Sequence, residues 1–175
     1  KLIFPLIIEQ LLSILVGMAD SIMVSSVGEA AVSAVSLVDS INILLFYVFS
    51  AVATGGAVVA GQYLGSKRNK EACDSCDQLL NFVLIMSLVI TVIMYSGKGF
   101  ILNSLFGKIE PDVKAYANTY LVIVFAAIPF LAVYNCGAAM FRAMGNTKIS
   151  MNTSLLMNGI NVAGNAFLIY GLHRG

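Results

Sequence analysis

The sequence predicts an all-α, polytopic membrane helix bundle with five transmembrane helices. Of its 175 residues, 59% are hydrophobic and 11% charged, against roughly 25% charged in a soluble domain, and the mean hydropathy is +0.90. Apolar runs cover approximately 2–24, 33–64, 79–96, 115–141 and 150–171, each reaching or approaching the ~20 residues of a spanning helix. These runs are continuous, whereas strands of a membrane barrel alternate over segments of ~10 residues. The formal net charge of +1 gives no reason to expect a nucleic-acid partner.

The first run is interrupted by Glu9 and Asp20 and lacks a cleavage pattern, so it is expected to stay as a helix. The chain opens on Lys1 and stops at His173, Arg174 and Gly175 directly after a run, as a piece of a longer protein would. The second run holds 32 residues, about 48 Å of helix, and must tilt or project from a bilayer. Its Gly55, Gly56, Gly61 and Gly65, interleaved with Ala53, Ala57 and Ala60, offer small-residue surfaces for close packing. Before the third run lies a charged loop, Lys67 to Asp77, that contains Cys73 and Cys76. This lone CxxC has no second pair or nearby histidine to complete a zinc site and is read as structurally neutral. Lys98 to Lys114 forms the next loop, and Pro129 predicts a kink in the fourth run. With the N-terminus cytoplasmic, the inner side collects Lys1, Lys67, Arg68, Lys70, Arg142 and Lys148, six basic residues against four outside.

Glu9, Asp20 and Asp39 lie within apolar runs, where a carboxylate costs about 2.5 to 3.5 kcal/mol and is expected to face a bundle interior or cavity. Glu9 and Asp20 are 11 residues apart and share a helix face, with Ser13 on the same stripe. In the fifth run Ser154, Asn158, Asn161 and Asn165 follow steps of four, three and four, which again gives one face. Asp20 is four residues before Val24 and Asn165 six before Gly171, so both fall within roughly 6 to 9 Å of the same boundary. A single asparagine there passes as packing glue, but the matched depth makes Asp20, Asn161 and Asn165 the candidate ion or proton coupling set. Glu9, Asn158, Asp39 and Ser154 are candidate cavity-lining residues; Asp39 and Asn42 border the same cavity or simply meet water, and the second reading is the plainer.

A carboxylate can hold a proton or ligate a hard cation such as Na⁺, whereas asparagine does not titrate. Na⁺ at Asp20, Asn161 and Asn165, or H⁺ on Asp20, is therefore the expected coupling ion, with no organic cofactor. The single histidine is His173, and no nucleophile with its base and no metal cluster appears, so no enzyme is expected. A membrane scaffold without transport activity is the contrasting reading, in which buried carboxylates would be gratuitous cost.

At these residues the chain resembles the multidrug and toxic compound extrusion (MATE) transporters. Ala19-Asp20-Ser-Ile-Met-Val24-Ser-Ser-Val-Gly28 with Ala30 to Val35, Gly56 to Gln62 with Gly65-Ser66-Lys67-Arg68, Arg142-Ala-Met-Gly145-Asn-Thr147-Lys148, and Asn161 to Asn165 with Leu168-Ile169-Tyr170-Gly171 follow that family's order. Ser25 replaces a common glycine and Ser150 a common proline. Position 165, aspartate in some members, is asparagine as in the NorM-like branch, which argues against a two-carboxylate site here.

The resemblance implies twelve helices in two six-helix lobes, with residues 1–175 forming a partial N-terminal lobe that lacks helix six and the C-terminal lobe. It also implies a multi-pass protein of the cell membrane, of the bacterial inner membrane, which expels organic and often cationic small molecules against Na⁺ or H⁺ entry. Asp20 matches the family's helix-one coupling carboxylate, and Asn161 and Asn165 its helix-five polar partners. A lipid-linked saccharide flippase of the related superfamily would instead carry a strongly basic central cavity, and no Lys or Arg lies deep in any run.

Overall fold

In the computed structural model, residues 3–107 and 109–171 are described; Lys1, Lys108, His173 and Arg174, counted above for topology, lie outside them. Five long helices follow one another: α1 (Ile3–Ser25), α2 (Glu29–Gly65), α3 (Asn69–Ser96), α4 (Pro111–Ala143) and α5 (Thr147–Ala166). No strand occurs among the described residues.

Helices outrun the apolar stretches because their polar flanks are also good helix formers. α2 starts at Glu29, an acidic residue in the first turn, where the positive end of the helix dipole favours it. Its 37 residues reach about 55 Å, longer than the apolar run alone. α3 starts at Asn69, so most of the charged segment expected as a loop is its first turns. Pro111 occupies the opening of α4, where its fixed φ suits a helix start and its missing N–H is no loss. α4 then continues past Pro129 without interruption.

Segment 98–114 is not a plain loop. A helical turn Lys98–Phe100 leads into a wide π turn Ile101–Leu105 that buries Ile101 and Leu102 in the core. Lys114 Nζ donates to the side-chain amide oxygen Oδ1 of Asn103 and ties this turn to α4. Charge at both borders hid two apolar anchors too few in number to make a run.

α2 and α4 end in the same way. The Arg68 N–H reaches back to the Tyr63 carbonyl, and the Asn146 N–H to that of Phe141, each at 2.9 Å. This closure needs one left-handed residue after each helix, supplied by Gly145 at φ 77° and by Lys67 at φ 60°.

α2, α3 and α4 form the packed core. Ala34, Val38, Phe49 and Ala53 of α2 and Ala117, Leu121, Phe125 and Ala132 of α4 are buried completely, and Val83 of α3 joins them. α1 and α5 lie alongside each other and touch the other three helices less. Among the described residues four helices are long and apolar enough to cross a membrane. α5 fails on composition, not on length: its 20 residues span about 30 Å but include Asn152, Asn158, Asn161 and Asn165.

The small residues of α2 do different jobs on different sides. Ala53, Ala57 and Ala60 are buried, and Gly61 faces Ala143 at ordinary contact distance, while Gly55 and Gly65 have open space where a side chain would sit. Gly56 is the point of closest approach: a Cβ there would lie 2.3 Å from Leu79 Cδ1 and 3.0 Å from its Cγ. Gly56→Val is expected to lower thermal stability in detergent by about 1 to 3 kcal/mol. Adding Leu79→Ala should return part of that loss, and a purely additive double variant would show that Leu79 is not the obstacle.

Candidate functional site

The polar faces of α1 and α5 meet in layers. At the end of the bundle where α4 gives way to α5, Ser150 Oγ donates to Glu9 Oε2 at 3.0 Å and lies 3.3 Å from Oε1. Arg142 completes the layer, 3.6 Å from Glu9 Oε1 and 3.3 Å from Ser150 Oγ. One carboxylate thus joins α1 to the end of α4 and the start of α5. Midway along α5, Asn158 Nδ2 donates to Ser154 Oγ at 3.3 Å, and Ser154 is buried. These two bond within their own helix rather than to α1.

The third layer is the one indicated by the matched depths. Asn165 Nδ2 donates to Asp20 Oδ1 at 2.9 Å and stands 3.3 Å from Asn161 Oδ1. The outer amide atom of Asn161 lies 3.1 Å from both carboxylate oxygens of Asp20. With nitrogen in that place, Asn161 donates to a bare carboxylate; with oxygen there, two acceptors face each other unless a proton or cation sits between them. Asp20 and Asn165 are half-buried and Asn161 is exposed.

Asp39 is not simply wet, as the plainer sequence reading had it. Tyr120 Oη donates to its Oδ1 at 3.0 Å, linking α2 to α4, and both residues lie within electrostatic range of Asp20. Asp39 is thus half-buried and paired across two helices. Beside it, between α1, α2 and α4, opens a largely apolar pocket of about 390 Å³ lined by Val24, Val27, Ala31, Val35, Tyr120 and Ile169 among others.

Tyr120, Arg142 and Ser150 had not been picked out as partners. A tyrosine inside an apolar run looks like core until its hydroxyl is asked for a partner. Depth counting finds the other two: Glu9 is near the start of α1, Arg142 near the end of α4 and Ser150 near the start of α5, all at one level. Ser13, expected on the stripe of Glu9 and Asp20, is exposed.

The Arg142 and Glu9 side chains are 30% and 18% exposed, between a surface and a buried pair. Arg142→Met is expected to lower the melting free energy in detergent by about 1 to 2 kcal/mol. Part of the cost is the stranded Glu9 charge, so Glu9→Gln added to Arg142→Met should recover some stability; a further loss of the same size would show that the pair is not coupled.

Comparison with known proteins bears on the family and the fold. The MatE family model matches residues 5–167. The chain is 30% identical over 175 residues to the uncharacterized transporter YisQ of Bacillus subtilis, covering 98% of this chain and 37% of YisQ. It is 26% identical over 171 residues to the probable multidrug resistance protein NorM of Streptococcus pneumoniae serotype 4, again covering 98% of this chain and 37% of the relative. The fold of a MATE crystallised in complex with MaL6 superposes with a TM-score of 0.91 at 23% identity, over 98% of this chain and 38% of that one. The chain thus spans a little over a third of the length of the relatives it matches. With the family model covering nearly its whole length, and five helices in the same arrangement, this chain belongs to the MatE family.

Proposed function

We propose that residues 1–175 form part of the N-terminal lobe of a secondary active antiporter that exports drugs or other organic, often cationic, compounds in exchange for Na⁺ or H⁺. The observation that supports this most is the carboxylate of Asp20 held by Asn165 and Asn161 across the α1–α5 contact. It is an ionisable group between apolar α1 and the amide-bearing face of α5, and such a group within a membrane is a functional hypothesis by default.

Asp20 is the group that takes the coupling ion. Bare, it accepts hydrogen bonds from both asparagines. A proton on it, or Na⁺ between it and the Asn161 oxygen, neutralises the charge that both amides meet and changes what α1 and α5 present to each other. Alternating access follows when the ion binds one opening of the two lobes more tightly and the substrate the other, because a ligand shifts a conformational equilibrium only by its differential affinity. Glu9, fastened to Ser150 and Arg142, anchors α1 at the far end of the helix, and Tyr120, bonded to Asp39, lines the apolar pocket between α1, α2 and α4. The amino terminus lies in the cytoplasm, which puts Arg68, Arg142 and Lys148 on the inner side and Asp20 near the outer.

The test uses the full-length protein in vesicles loaded with a fluorescent organic cation. An imposed inward gradient of Na⁺ or of H⁺ should drive the dye out against its own gradient; dye movement that ignores both gradients would refute antiport.

A further inference from the structure

The three cysteines of the chain, scattered in sequence, converge. Cys73 and Cys76 are three apart on α3, hence on one face. They open on a pocket of about 560 Å³ whose opposite wall is Met140, Ala143 and Met144 of α4, with Ala60, Gly61 and Leu64 of α2 between. Cys136, Met140 and Met144 are spaced by fours along α4, so they make one stripe of sulfur. Cys136 Sγ lies 3.6 Å from Met140 Sδ, which itself lines the pocket with Cys73 and Cys76. All three cysteines are free thiols.

We propose that this pocket is a binding site for a soft monovalent d¹⁰ cation of the Cu(I) or Ag(I) class, held by the Cys73 and Cys76 sulfurs from α3 and the Met140 sulfur from α4, with Met144 at its mouth and Cys136 beneath. Thiolate and thioether ligands together select such ions, while Na⁺, Mg²⁺ and Ca²⁺ want oxygen. Among the described residues no three of His, Cys, Asp and Glu come together as a metal-binding group. The donor set reaches three only when thioethers are counted, which favours a soft monovalent ion over zinc, whose usual ligands are Cys, His and carboxylate. On binding, Cys73 and Cys76 each lose their thiol proton to water as an S–metal bond forms; no electron is transferred. The positions that make the set are exposed or half-buried at Cys73, Cys76, Met140 and Met144, so an ion can enter without unfolding the core. The site lies at the junction of α2, α3 and α4, away from the α1–α5 layers, and does not depend on the transport reading.

Reduced, metal-free full-length protein in detergent is titrated with Cu(I) against a colorimetric chelator, with Zn(II) in parallel. One equivalent of Cu(I) should be retained, with affinity falling at least about 100-fold in Cys73→Ser/Cys76→Ser and about tenfold in Met140→Leu, which conserves volume. Met157→Leu, on the exposed face of α5, should bind as the parent does. Equal loss of Cu(I) to the chelator from the parent and from Cys73→Ser/Cys76→Ser would overturn the proposal. Tight Zn(II) binding that Asp77→Asn abolishes and Met140→Leu leaves intact would overturn it equally, by showing a borderline-metal site instead.

Discussion

Asp20→Asn is expected to reduce gradient-driven export by the full-length protein to the leak of protein-free vesicles, while the variant still folds and inserts. The substitution preserves the shape of the side chain and its capacity to meet Asn165, whose Nδ2 lies 2.9 Å from Oδ1. What it removes is the negative charge and with it any affinity for H⁺ or Na⁺. An ion without differential affinity for the two openings shifts nothing, however steep its gradient. The informative companion readout is exchange of labelled for unlabelled substrate at equal concentrations with no ion gradient. If that exchange survives while uphill export is lost, the carboxylate carries coupling and not folding. Full uphill export by Asp20→Asn would remove this residue from the mechanism.

The second large effect is expected at Asn165. Its amide is the direct hydrogen-bond donor to Asp20, and a bond to a charged group is worth about 1.5 to 3 kcal/mol. Asn165→Leu keeps the volume, removes that donor and leaves an apolar wall against the carboxylate. The bare carboxylate then loses that support, so the ion should be held about 10- to 100-fold more tightly, the range that 1.5 to 3 kcal/mol converts to, and uphill transport should fall through slow ion release, with no recovery at high ion concentration. Asn161→Leu should cost less, because Asn161 is exposed, where water replaces a lost donor more readily. Equal transport by Asn165→Leu and the parent at every ion concentration would show that the 2.9 Å contact is packing glue alone.

Much of this was legible in the residues. Continuous apolar runs announced the helices, because a bilayer admits little else, and the steps of four, three and four along α5 placed its amides on one face before any contact was known. Depth counting then brought Asn165 level with Asp20. Periodicity stops at the edge of one helix, however, and gives no cross-helix partner for a residue whose mate looks like core. Tyr120 is the example: nothing in the run 115–141 sets it apart until α2 brings Asp39 to its hydroxyl. The π turn 101–105 was hidden because its two buried residues, Ile101 and Leu102, stand between charges at Lys98 and Lys114. CxxC was read as neutral because its complement, the sulfur stripe of α4, lies more than 60 residues on and is made of methionine as much as cysteine.

The direct test of ion coupling is the reverse of the export assay. In vesicles of the full-length protein with no ion gradient, a substrate gradient alone is imposed, and internal H⁺ and Na⁺ are followed. The antiport account requires one of the two ions to move opposite to the substrate, with the movement lost in Asp20→Asn; substrate flux with neither ion moving would contradict it.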